Sequence, residues 1–179
     1  MTGFELQELL ENQVGRESPE GWGEVFNSYS GSNIAYGDCS HAEGSGNKAY
    51  GDYSHVEGVS NKIGESSSDD YNVQASHAEG ESNTIRNALG AHAEGGGNTI
   101  EESYGHAEGR GNHVSGYGAH VEGQGNTVYG RTAHAEGFDN TAKGDHSHVE
   151  GSKNGAIGHF SHASGNGTIA FGECSSSGG

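Results

Sequence analysis

Proline is nearly absent from this chain, and cysteine and positive charge are scarce. Its 179 residues hold one Pro and two Cys, and eight Lys plus Arg stand against 25 Asp plus Glu, a formal net charge of −17. So few basic residues leave no patch to neutralise phosphates, which argues against nucleic acid as a partner. They argue equally against attachment to an anionic membrane by charge. No apolar stretch approaches the roughly 18 residues of a spanning helix, so no membrane partner is expected. Met1 to Asn12 is acidic and lacks a long apolar core, and it does not read as a signal peptide. The expectation is a protein that leaves its cell by another route, such as lysis, or whose export signal lies outside this sequence. Two Cys do not define a redox compartment. Only 29% of the residues are apolar, a content that by itself suggests disorder.

Pattern overrides that composition. The tetrapeptide His-(Ala/Val)-Glu-Gly begins at His41, His55, His77, His92, His106, His120, His134 and His148, and His162-Ala163-Ser164-Gly165 is a ninth copy with Ser for Glu. Six of the eight spacings are 14 residues; the others, 22 and 15, read as 14 plus an insertion. Such self-similarity marks a solenoid. Each unit has two halves of five residues with alternating small and large side chains, each followed by two turn residues. Alternation with period two is the signal of a strand. One unit is therefore one coil of two short strands and two tight turns, and coils would stack about 4.8 Å apart.

Two inward apolar columns follow, one running Ala42, Val56, Ala78 onward and the other Ala49, Ile63, Ile85 onward. Their small and β-branched residues suit a narrow sheet interior. An Asn column from Asn33 to Asn154 can stack its amides from coil to coil and serve as a turn former. Two glycine rows, from Gly44 and from Gly37, are expected where strands turn and φ is positive.

The paired halves, of the form x-Ala-x-Gly-x-x-Ser/Asn, resemble the head repeats of YadA-type trimeric adhesins. The Ser-His-Ala-Glu-Gly version, as in Ser40 to Gly44 and Ser76 to Gly80, also looks like repeats of bacteriophage tail and appendage proteins. The resemblance covers about residues 32 to 175. It implies an all-β fold: a left-handed parallel β-roll, with three chains side by side. The chain carries no counterpart of that family's membrane barrel, coiled-coil stalk or export signal, which favours the phage-like reading.

A trimer is expected on energetic grounds too. Each coil buries only a few small side chains, too little apolar area to offset the entropy of ordering its backbone. Oligomerisation is the usual remedy. The second-half strands present a varied outer face, whereas the first-half strands present His in nine of nine copies and Glu in eight of nine. We therefore place His41, Glu43, His55, Glu57, His77, Glu79, His92, Glu94, His106, Glu108, His120, Glu122, His134, Glu136, His148, Glu150 and His162 at the interface between chains. Stacked carboxylates repel, and His supplies their hydrogen-bond partner or counter-charge.

Other chemistries fit less well. His and Glu can bind Zn²⁺ or Ni²⁺, but a pair repeated at every level does not read as a dedicated site. No metal or cofactor is expected, and a metal-binding solenoid is kept as an alternative. A His–Glu pair can also do acid–base work, yet active sites are unique and this pair recurs; no catalytic residues are assigned. No phosphate loop, Ser-His-Asp set or zinc-protease motif is present. Thr84, Thr99, Thr127 and Thr141 form a partial column of the kind that binds ice, but His113 and Gly155 interrupt it.

Residues 1–31 do not repeat and are expected to cap the roll or dock it, with a helix through Phe4, Leu6, Leu9, Leu10 and Val14. The roll spans 32–175 in about ten coils, with an inserted loop over 64–75 whose Asp69, Asp70 and Tyr71 could hold a cation or glycan. Residues 176–179 are expected to form a flexible tail. Cys39 and Cys174 share one turn position nine coils apart, about 43 Å, beyond the reach of an intrachain disulfide. The expected role is a rigid head or spacer of a phage tail appendage, in the virion or at an extracellular surface, touching other virion proteins or a host-surface glycan. The alternative is the head fragment of a bacterial adhesin.

Overall fold

A computed structural model describes the backbone of Glu17–Ser18, Gly21–Trp22 and Glu24–Asn27, and residues 33–65 and 73–179 in full. No helix occurs among the described residues. The expected N-terminal helix and the loop residues Asp69, Asp70 and Tyr71 lie outside them. Glu17–Ser18 and Gly21–Trp22 pair antiparallel.

The rest is a parallel solenoid. Its long sheet has eleven strands and its short sheet ten, and the chain alternates between the two. A typical coil sets His134–Phe138 in the long sheet and Thr141–Ala142 in the short one. Every pairing in these two sheets is parallel and joins like positions, as in His134↔His148 and Ala135↔Val149. A register slip would turn the apolar column outward, so the alternation holds the ladder in place. Glu24–Asn27 adds a rung beyond the first His copy, pairing Glu24 with His41 and Phe26 with Glu43.

The core is thin and continuous. Ala42, Val56, Ala78, Ile63, Ile85 and Ile100 are fully buried, and Ser40, Ser54, Ala119 and Ala133 form a third inward column beside them. Sequence reading puts the Asn amides in contact with one another, but the structure uses them on the backbone. The Oδ1 of Asn112 accepts the N–H of Asn126, while its Nδ2 donates to the Glu108 and Gly123 carbonyls at 2.8 and 2.9 Å. Each Asn thus ties its own strand to the next coil and satisfies groups that a narrow core shields from water. At the last coil Thr168 takes this place, its N–H and Oγ1 both donating to Asn154 Oδ1.

The two glycine rows have different causes, which corrects the expectation of positive φ in both. Gly95 has φ of 100°, and a Cβ there would also meet the Gly109 carbonyl oxygen at 2.1 Å. Gly144 lies outside the left-handed region; its constraint is space, since a Cβ would fall 1.9 Å from the Gly158 oxygen. Coils stack so closely at this turn that no side chain fits.

Two boundaries also move. Ser176–Gly178 is not a loose tail but a rung of the long sheet, because Ser176, Ser177 and Gly178 repeat the alternation and pair with His162, Ala163 and Ser164. The insertion is narrower than 64–75: the Gly64 N–H donates to the Ile85 carbonyl, Val73 is fully buried, and Gln74 bridges Asp52 and Leu89. Both ends of that segment therefore belong to the regular coil. Cys39 and Cys174 are exposed free thiols on one column of turns.

Candidate functional site

His and Glu two residues apart on a strand share one face, and the unbroken parallel register turns that pair into two columns. All seventeen residues assigned to the interface lie there. Adjacent imidazoles from His41 to His162 have ring centroids 4.7 to 5.1 Å apart. This follows from the rung spacing, since one ring per rung leaves room for nothing between them.

The pairing within one chain is incomplete. His41 Nε2 reaches Glu43 Oε2 at 3.4 Å, but the corresponding distances are 3.8 Å for His77–Glu79 and 3.7 Å for His134–Glu136, too long for a hydrogen bond. The Nε2 atoms of His77, His92, His106, His134, His148 and His162 are shielded from solvent yet have no hydrogen-bond partner among the described residues. Neighbouring rings remove the water from these nitrogens without replacing its hydrogen bond, a costly state for a polar atom.

Electrostatics along the columns follows from like groups stacked on like. His77, His106 and His134 are held below the usual imidazole pKa, first by burial and then by repulsion from adjacent imidazoles. Glu79 is pushed above the usual carboxylate range by burial, then by a hydrogen bond shared with Glu57 and by the charges of Glu94 and Glu57. At these three His positions the neutral imidazole, a single N–H donor and a single acceptor, is favoured.

The opposite face differs in kind. Lys62 Nζ meets Glu65 at 3.0 Å, Arg86 Nε meets Glu65 at 2.8 Å, and His113 Nε2 meets Glu101 at 3.1 Å. The Lys62 bond holds Glu65 below its usual pKa. Lys62 and Glu65 are three residues apart, but the Arg86–Glu65 and His113–Glu101 pairs cross from rung to rung and are missed when the chain is read linearly; opposite charges about one coil apart are their signal. At the turns, Tyr104 packs edge-on to Tyr117 at 5.4 Å, and His146 stacks on Phe160 at 5.0 Å. Thr84, Thr99, Thr127 and Thr141 lie on one short-sheet ladder, with His113 between Thr99 and Thr127 as the sequence requires.

Together the coils define a parallel β-solenoid with one chemically uniform face. No protein-family model matches the chain. No curated protein matches it either.

Proposed function

We propose that this protein is the rigid, non-enzymatic rod of a left-handed, homotrimeric β-roll whose His–Glu face is turned toward its sister chains. The carrying observation is the set of shielded imidazole Nε2 atoms without partners among the described residues, on a face that carries His in nine of nine repeats and Glu in eight. A carboxylate from a neighbouring chain is the acceptor or donor partner that such a face lacks. The opposite face has its own ion pairs and needs no second chain. The rod serves as head or spacer of a phage tail appendage, meeting other virion proteins or a host-surface glycan. This placement rests on the repeat's resemblance to phage appendage and YadA-type head repeats.

The test is the mass of the particle in solution. Native mass spectrometry should give about three times the chain's 18.4 kDa, and replacing His92, His106 and His120 by Ala should weaken association. A monodisperse lone chain, or an equally stable trimer in the triple variant, overturns the proposal. A glycan array with the wild-type particle examines the host-surface part separately.

A further inference from the structure

We propose that His134, Glu136 and His148 form a site for a borderline divalent cation, of the class of Zn²⁺, Co²⁺ and Ni²⁺, that clamps two adjacent coils. The site lies within one chain and does not depend on the trimer.

The three side chains each offer one ligand atom, and these atoms all lie within 4.8 Å of one another. His134 and Glu136 share a strand and a face; His148 is the register partner of His134 on the next rung. The two rings are stacked, 4.9 Å apart with planes 21° from parallel. Both Nε2 atoms are shielded from water and have no partner among the described residues, so neither gives up a hydrogen bond within its own chain to take an ion. His134 Nε2 and Glu136 Oε2 are 3.7 Å apart. Ligands about 2.0–2.2 Å from a tetrahedral ion sit roughly 3.3–3.6 Å apart, so a small carboxylate rotation closes that edge. A tilt of the two rings toward each other brings in the third ligand.

The donor set selects the cation. Two imidazole nitrogens and one carboxylate suit Zn²⁺ and its neighbours rather than Mg²⁺ or Ca²⁺, which prefer oxygen. Two other trios on the ladder, Glu57–His77–Glu79 and Glu79–His92–Glu94, each hold one imidazole and two carboxylates, and they share Glu79. They match this cation class less well and cannot fill independently. Three protein ligands leave an open position for water or for a group from another chain. The ion would join rungs 14 residues apart, stabilising the folded coil stack by linkage.

The experiment titrates ZnCl₂ into the full chain after chelator treatment, by calorimetry in a non-coordinating buffer. Co²⁺ absorption in the visible range supplies a spectral signature. The variants are His134→Ala/His148→Ala, the isosteric Glu136→Gln, and His106→Ala/His120→Ala as a control for general damage to the ladder. The expected result is saturable Zn²⁺ uptake and a tetrahedral Co²⁺ spectrum. The first pair should lose that equivalent, Glu136→Gln should bind at least tenfold more weakly, and the control pair should retain binding. Absence of uptake by the wild type, or equal loss in both His pairs, overturns the proposal. Particle mass measured on the same metal-free samples keeps the two readings separate: a trimer that takes up no Zn²⁺ overturns only the metal site, and a lone chain that binds it overturns only the trimer.

Discussion

The side-chain oxygen of Asn112 accepts the backbone N–H of Asn126 at 2.9 Å, one coil further along the chain. The same contact recurs from Asn47–Asn33 to Asn154–Asn140, so a single column of amides fastens each rung to the next.

Replacing Asn112 by Ala should therefore cost more than an ordinary core truncation of its size. It leaves the Asn126 N–H and the Glu108 and Gly123 carbonyls without this partner in a thin interior. A loss of about 2–4 kcal/mol is expected from one to three unsatisfied buried groups, measured by chemical denaturation. Asn112→Asp should be no better, because a carboxylate cannot donate to those carbonyls.

Gly144→Ala should disrupt the roll far more than Gly97→Ala. At Gly144 a methyl meets the Gly158 backbone 1.9 Å away, whereas nothing lies within 4 Å of a Cβ at Gly97. The second change carries only the cost of φ at +68°, on the order of 1 kcal/mol. Melting temperatures of the two variants should separate accordingly, with Gly144→Ala poorly folded.

Acid should destabilise the fold, in chelator to keep metal out of the comparison. His77, His106 and His134 have depressed pKa values in the folded chain, so below the unfolded value near about 6.5 the unfolded state binds more protons. Their effect is absent at pH 8 and grows as pH falls through 6.5 toward 5. Glu79 acts with opposite sign, because its raised pKa lets the folded state take up a proton first. Three imidazoles outweigh one carboxyl in that window. Denaturation midpoints at pH 8, 6.5 and 5.5 should fall in that order; a midpoint that rises on acidification would contradict the sign.

Glu101→Gln should change stability by less than about 1 kcal/mol, and the difference should shrink further in 1 M salt. Glu101 pairs with His113 at 3.1 Å and Arg86 at 3.6 Å, but all three side chains are more than a third exposed. Thermal melts at low and high ionic strength measure this directly.

Much of the architecture was legible because the repeat is local. The spacing of His106, His120 and His134 sets the length of a coil, and the alternation around Ala135 sets which side chains turn inward. The Ser176–Gly178 rung was missed because its match to the pattern is short and lacks the His and Glu markers. The confinement at Gly144 was missed because positive φ and lack of space both select Gly, and only the position of the Gly158 carbonyl tells them apart. The trio of His134, Glu136 and His148 has the same residue types as the other His–Glu rungs; what sets it apart is side-chain geometry, which no spacing records.

From residue order alone came the coil, its two strands and the uniform His–Glu face, since backbone hydrogen bonding and period-two alternation act on near neighbours in the chain. Tertiary structure decided the rest. Whether an imidazole nitrogen finds a partner, whether Glu65 meets Arg86, and whether a methyl fits at a turn all depend on groups about a coil apart in sequence, and those distances exist only once the rungs are stacked.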